Sequence, residues 1–295
     1  MSRFQSKILL RRVLSRPHHL VSLVQTIRTL GKLQAHPHPS VRAAAIACKS
    51  ALLGKFSPEE DVWIAEVESL RRRASRSKEV VRIEDFGAVS PTSNLTAEQM
   101  YQGRIVERTV GAQCEGASKP LVWQALLFQL IRQFQPKTCV ELGCCVGISA
   151  SFQAGALRLN GSDGHLWTFE GAPALAEVSR RHFKEIGADV DVVVGRFQDT
   201  LAEFLTDHAP IDYAFIDGHH DEHATIEYFE QFLPHCGSRA VLVFDDINWS
   251  KGMERAWRTI ESDARVPLAL NCGEIGVCVL DSSLADCVRA RVPLL

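Results

Sequence analysis

No stretch of this 295-residue chain reaches the roughly 18 consecutive apolar residues needed to cross a bilayer as a helix. Its nine cysteines, including the adjacent Cys144 and Cys145, have neither the spacing of a disulfide framework nor a C-x-x-C zinc pattern. They read as reduced thiols of a cytoplasmic protein, and no base is placed by spacing beside the Cys144-Cys145 pair to make it a thiol catalyst. Acids are missing from Met1 to Pro58, which holds 10 of the 33 Lys and Arg and none of the 35 Asp and Glu. A basic head therefore precedes an acidic body. The basic run Arg71 to Arg76 has no interleaved aromatics and reads as a solvated helix end, so nucleic acid is not an expected partner. Also missing are two glycines of the dinucleotide fingerprint G-x-G-x-x-G, whose places hold Cys145 and Ile148. That argues against a nicotinamide cofactor.

What is present centres on Lys137 to Ser149. A short apolar run (Cys139, Val140, Leu142) carries Glu141 and ends at Gly143; Gly147 then precedes a helical pattern from Ile148 to Leu159. A buried strand, a tight glycine turn and a helix N-terminus follow from this order. Such a turn admits close backbone approach, and free N–H groups at the helix start favour a polar or anionic ligand.

Upstream, Ile8, Leu9, Val13, Leu14, Leu20, Leu23, Val24, Ile27 and Leu30 recur at helical spacing. Pro17, Gly31 and the Pro37/Pro39 pair are expected to break them into short helices. Residues 1–78 thus read as a basic helical extension, expected to pack on the main domain (79–295) or on a second subunit. An anionic membrane surface and an organelle transit peptide are the alternatives. Ser57-Pro58-Glu59-Glu60 starts a helix running to about Arg73 that buries Val62, Trp63, Val67 and Leu70. Val80 to Ser90 reads as one extended piece, and Leu121 to Phe134 as a buried helix.

From Pro136 strands and helices alternate. The strands are Thr138–Leu142, His165–Glu170, Val190–Val194, Ile211–Asp217, Ala240–Asp245, Leu268–Asn271 and Gly276–Leu280; the helices are Ile148–Leu159, Pro173–Ile186, Phe197–His208, Glu222–Leu233 and Met253–Ala264. This period predicts an α/β fold with a doubly wound, mostly parallel Rossmann-like sheet, which binds ligands beyond the carboxyl ends of its strands. Acids are depleted within strands, yet Glu141, Glu170, Asp217 and the pair Asp245-Asp246 close four of the first five. Glu170 lies 27 residues beyond Gly143, where an acid would accept from two ribose hydroxyls; the alternative is a cap for the helix at Pro173.

The order E-L-G-x-x-x-G, F-E-G, F-I-D-G-H-H and F-D-D-I-N-W-S-x-G-M-x-x-A-W over roughly Leu121 to Leu280 resembles the class I S-adenosylmethionine-dependent methyltransferases. It is most similar to their small O-methyltransferase branch, which holds the catechol-type and metal-dependent sugar enzymes. The resemblance implies a seven-stranded sheet with an antiparallel last strand and S-adenosylmethionine over the first two strands. Glu141, Gly143, Gly147 and Ser149 would line its amino-acid portion, Glu170 its ribose and Phe197 its adenine. Cys145 stands where the family's middle glycine is usual, and Arg196-Phe197 replaces an acid often found after the third strand.

Asp217, Asp245 and Asp246 lie on strands about 4.8 Å apart and are expected to converge on a divalent cation such as Mg²⁺. Such an ion would bind and acidify an acceptor hydroxyl. The alternative gives Asp217 the cofactor's amine and makes Asp245 or Asp246 a helix cap. His220, three residues after Asp217 where the catechol-type enzymes keep a lysine base, is the preferred general base, with His219 the second choice. Trp249 would wall the acceptor pocket. The expected activity is methyl transfer to a hydroxyl of a small molecule by a homo-oligomer. Metal-independent N-methylation, or a scaffold with a vestigial pocket, are the alternatives.

Overall fold

The computed structural model describes residues 17–87, 91–92, 95–161 and 163–294. Ile8, Leu9, Val13, Leu14 and Ser90 lie outside the described residues.

Three helices open the described chain: α1 (Pro17–Gln34), α2 (Pro39–Leu53) and α3 (Pro58–Ala74). Gly31 does not break α1, because its surroundings are open and α1 runs on to Gln34. Pro39 does start a helix, at the first turn where a missing N–H costs nothing. At α3 the predicted capping box forms: the Ser57 hydroxyl accepts from Glu60 N–H while the Glu60 carboxylate accepts from Ser57 N–H. Val62, expected in the core, faces solvent at 69% exposure, whereas Trp63, Val67 and Leu70 are buried.

These helices share the hydrophobic core of the sheet rather than hanging from it. Trp63 Nε1 donates to the Ser151 carbonyl at 2.9 Å, and Thr26 Oγ1 donates to the Pro293 carbonyl at 3.2 Å. Next come β1 (Val80–Asp85), α4 (Ala97–Gln102) and β2 (Arg104–Thr109). The two strands pair antiparallel into a separate ribbon, with Val80 opposite Thr109 and Asp85 opposite Arg104. The short α5 (Val110–Ala117) and the almost fully buried α6 (Leu121–Phe134) lead into the sheet.

There follow β3 (Thr138–Leu142), α7 (Ile148–Asn160), β4 (His165–Glu170), α8 (Pro173–Ile186), β5 (Asp191–Val194), α9 (Phe197–His208), β6 (Ile211–Ile216), α10 (Glu222–Phe232), β7 (Cys236–Phe244), α11 (Lys251–Ser262), β8 (Leu268–Asn271), β9 (Gly276–Asp281) and β10 (Val288–Arg291). The strand order is β10-β8-β9-β7-β6-β3-β4-β5. β9 is antiparallel to both neighbours, as expected of a seventh strand, and the other pairings are parallel. An eighth strand, β10, adds to the edge beside β8; Val288–Arg291 is a half-exposed alternation too short to separate from a loop by periodicity. β3, β6 and the second half of β7 (residues 240–244) are buried on both faces, which is why they read as continuous apolar runs. None of the described helices is long and apolar enough to cross a membrane, and all nine cysteines are free.

Candidate active site at the carboxyl rim of the sheet

The parallel ladder continues one residue past the strands and so aligns their acidic ends. Gly143 N–H donates to the Phe169 carbonyl (3.0 Å), Asp217 N–H to Leu142 (2.9 Å), Asp245 N–H to Ile216 (3.0 Å) and Gly195 N–H to Glu170 (3.0 Å). A cleft of about 630 Å³ opens above this row. Gly143, Glu170, Phe197, Asp217, His219, His220, Asp245, Asp246 and Trp249 all line it. The β1–β2 ribbon walls the opposite side through Ile83, Phe86, Arg104, Val106 and Arg108.

Gly143 is glycine for two reasons. Its φ is +99°, and a Cβ would stand 1.8 Å from the Asp217 carbonyl oxygen, so the ends of β3 and β6 close together only without one. Glu170, 9% exposed, accepts from Cys145 N–H (2.7 Å) and Ala172 N–H (2.9 Å). Burial raises its carboxyl to about 7 against the lowering effect of those two bonds. Both readings of Glu170 are thus compatible with its place: it caps the turn before α8 and also faces the cleft. Phe197 stands edge-on to Phe169 and to His219, at 6.4 and 5.6 Å between centroids. A Cβ on Gly218 would lie 2.4 Å from its ring.

Three expected cofactor residues do not line this cleft. Glu141 is fully buried beneath it, accepting from Gln153 Nε2 (2.7 Å) and Thr168 Oγ1 (2.5 Å), and burial raises it to about 7. Gly147 starts α7 at φ +82°, where a Cβ would strike the Phe183 ring at 2.7 Å; its glycine answers a packing demand. Ser149 lines a side cavity of about 30 Å³ that shares Lys119, Gly143, Cys145 and Asp217 with the main cleft.

The two histidines part company. His219 has both ring nitrogens engaged, Nδ1 with Tyr228 Oη at 2.6 Å and Nε2 with the Gln198 amide at 3.2 Å. Burial lowers it to about 4, so it is a neutral supporting ring at neutral pH. His220 points Nε2 at Asp217 Oδ1 (3.5 Å) and Nδ1 at Asp246 Oδ2 (3.6 Å), and its ring lies 5.4 Å from that of Trp249. Burial lowers its pKa as well, against the opposing pull of Asp246. His219, His220 and Asp246 have φ values of 60°, 50° and 52°. Such strain in residues other than glycine collects at functional rims.

The expected divalent-cation site is not formed. Among the described residues no three carboxylate, imidazole or thiolate side chains are grouped to hold a metal. The acids close instead on an ammonium that the sequence reading did not single out. Lys119 Nζ hydrogen-bonds Asp246, and stands 3.3 Å from Glu274 Oε2 and 3.4 Å from Asp245 Oδ1. Burial opposes the charge on Lys119, but Asp245 and Asp246 outweigh it and raise its pKa. Asp245 is pushed up to about 7, first by burial, and Asp217 well above the usual carboxyl range, first by burial and then by Asp245. A signal for Lys119 did exist: it precedes Pro120, the N-cap of α6, where the positive end of the helix dipole disfavours a cation unless acids face it.

The sequence reading also missed the contacts of two cleft-lining residues, Phe86 and Arg196. The Arg196 guanidinium lies 4.0 Å from the Tyr101 ring and 5.9 Å from that of Phe86. It bonds Asp199 Oδ2 (2.9 Å) and the Tyr101 carbonyl (3.1 Å).

Residues 140–247 match a family model described as a methyltransferase domain. No curated protein matches the chain. Among solved structures, the chain is similar to an O-methyltransferase from Bacillus cereus in complex with SAH: identity is 21%, coverage 56% of this chain and 83% of that one, and the TM-score 0.48. It is also similar to the O-methyltransferase TomG from Streptomyces achromogenes, in complex with SAM (23% identity, 57% and 82% coverage, TM-score 0.47). A third likeness is to cofactor-bound Rv0187 from MTB (18% identity, 83% and 98% coverage, TM-score 0.47).

Proposed function

We propose, on the strength of the match of residues 140–247 to a methyltransferase-domain family model, that the chain moves a methyl group from S-adenosylmethionine to a hydroxyl of a small molecule. The observation that carries this reading is the single cleft in which Gly143, Glu170, Phe197, Asp217 and His220 meet at the carboxyl rim of a parallel sheet. The donor supplies a methyl on a sulfonium: the acceptor oxygen forms the new C–O bond, the C–S electron pair returns to sulfur, and the acceptor proton passes to a base.

The residues present suit that chemistry. Glu170 is held rigid by two backbone N–H groups and keeps unused lone pairs for ribose hydroxyls. The Phe197 edge offers an apolar wall for adenine, and Gly143 leaves the backbone open to close approach. His220 is the imidazole at the acceptor end whose nitrogens face carboxylates rather than a buried hydroxyl and amide. Its lowered pKa keeps it neutral at pH 7, ready to take a proton. Trp249 bounds the acceptor space. Positioning and deprotonation are all the chemistry asks of the protein.

The test pairs calorimetry with mass spectrometry. S-adenosylhomocysteine should bind in one-to-one stoichiometry, and isotopically labelled S-adenosylmethionine should label a hydroxylated compound within a metabolite panel. A protein that binds neither form of the cofactor is not this enzyme.

A further inference from the structure

We propose that Lys119 is the built-in cation of the acceptor subsite, standing where the related metal-dependent branch would place a divalent ion, so that this site works without metal. The proposal rests on the methyltransferase reading and adds to it a residue from outside residues 140–247.

Three features carry it. Lys119 comes from the loop before α6, and its side chain is 18% exposed against 1% for Asp245 and 18% for Asp246; it is inside the cleft, not draped over it. Among the described residues no other Lys or Arg pairs with Asp217, Asp245 or Asp246; His220 faces Asp217 and Asp246, and Asp217 and Asp245 bond each other. Finally, Asp245 Oδ1 is buried with no hydrogen-bond partner, and the nearest cation to it is Lys119 Nζ. Removing that ammonium would leave buried carboxylates facing one another, an arrangement held only by a cation or by protons.

The geometry also defines what the ammonium does. An ammonium has three N–H donors. Asp246 and Glu274 take two, and the third is shared between Asp245 Oδ1, 3.4 Å away, and an oxygen brought into the cleft. An acceptor oxygen held there would lie at the shared acid edge that His220 also faces. As His220 takes the hydroxyl proton and the oxygen forms its bond to the methyl carbon, the ammonium opposes the negative charge gathering on that oxygen. The C–S pair leaves with sulfur, and no oxidant, metal or further reactant is needed.

Manganese(II), whose free-ion paramagnetic signal reports binding directly, is the probe. The full chain saturated with S-adenosylhomocysteine is titrated as parent, Lys119→Arg, Lys119→Met and Lys119→Met/Asp246→Asn. The parent and Lys119→Arg should bind no Mn²⁺ at the site. Lys119→Met should gain a site at least about tenfold tighter than any in the parent, since two facing carboxylates without their counter-ion attract a divalent cation strongly. Asp246→Asn in that background should abolish it. Parent protein that binds Mn²⁺ as tightly as Lys119→Met, or a folded Lys119→Met that binds none, overturns the proposal. Should Lys119→Met unfold, the parent and Lys119→Arg titrations still decide it, because Mn²⁺ bound at this site by either one refutes it. Failure of every form to bind S-adenosylhomocysteine would instead remove the methyltransferase reading itself.

Discussion

Replacing Gly143 with alanine probes the join between fold and site. A Cβ there would lie 1.8 Å from the Asp217 carbonyl oxygen, against an ordinary carbon–oxygen contact of about 3.3 Å. The ends of β3 and β6 would have to separate by about 1.5 Å, pulling on the Asp217 N–H bond to the Leu142 carbonyl, 2.9 Å long. Losing that buried pair costs about 1–3 kcal/mol, and holding an alanine at positive φ about 1–2 kcal/mol more. A loss of roughly 2–5 kcal/mol corresponds, at about 2 °C per kcal/mol for a chain of this size, to a melting point lower by roughly 4–10 °C. Gly161 supplies the control: its φ is +60° and nothing lies within 4 Å of an added Cβ, so Gly161→Ala should cost only the conformational part, about 1–2 kcal/mol. Thermal melts of both variants, with S-adenosylhomocysteine titrations alongside, make the comparison. Gly143→Ala should also lose cofactor affinity while Gly161→Ala keeps it. If the two variants melt within about 2 °C of each other, close approach of the strand ends is not what demands glycine at Gly143.

Three further expectations follow from the same coordinates. Glu170→Gln removes the charge and sets an amide NH₂ against one of the two backbone N–H groups that the carboxylate accepts from, so S-adenosylhomocysteine should bind roughly 10–100-fold more weakly; unchanged affinity by calorimetry would place the ribose elsewhere. His219 is lowered from 6.5 to about 4 in the fold, so its neutral form stabilises the protein fully above pH 6.5, and that contribution is lost as pH falls toward 4. The contribution is about 3 kcal/mol, and denaturant melts should show a shallower acid limb for His219→Gln than for the parent. Trp63→Ala should cost about 3–5 kcal/mol, because Trp63 packs over Gly155 and bonds the Ser151 carbonyl. A melt like the parent's would make the N-terminal helices a detachable appendage.

The central α/β architecture was legible because local signals and tertiary demands agree there. β3, β4 and β8 begin and end where apolar runs meet glycine, acid or proline, and α8 and α9 keep their predicted bounds. The rim acids were legible for the same reason: carboxylates are out of place in strands, and strand order brings them together. Residues that act across long chain separations were not. Lys119 lies 127 residues from Asp246, and Phe86 and Tyr101 meet Arg196 only through the ribbon's fold. Nor does one-dimensional spacing reveal that His219 turns to Tyr228 while His220, one residue on, faces the acids; that depends on two successive residues at positive φ. The structure does not show the expected divalent-cation site among the described residues, and spacing alone could not reveal that the Lys119 ammonium stands against Asp245 and Asp246.

The most direct measurement is isothermal calorimetry of the parent protein with S-adenosylhomocysteine, repeated with Glu170→Ala and Phe197→Ala. The account predicts saturable one-to-one binding that both substitutions weaken. No binding by the folded parent, or binding indifferent to both residues, would contradict it.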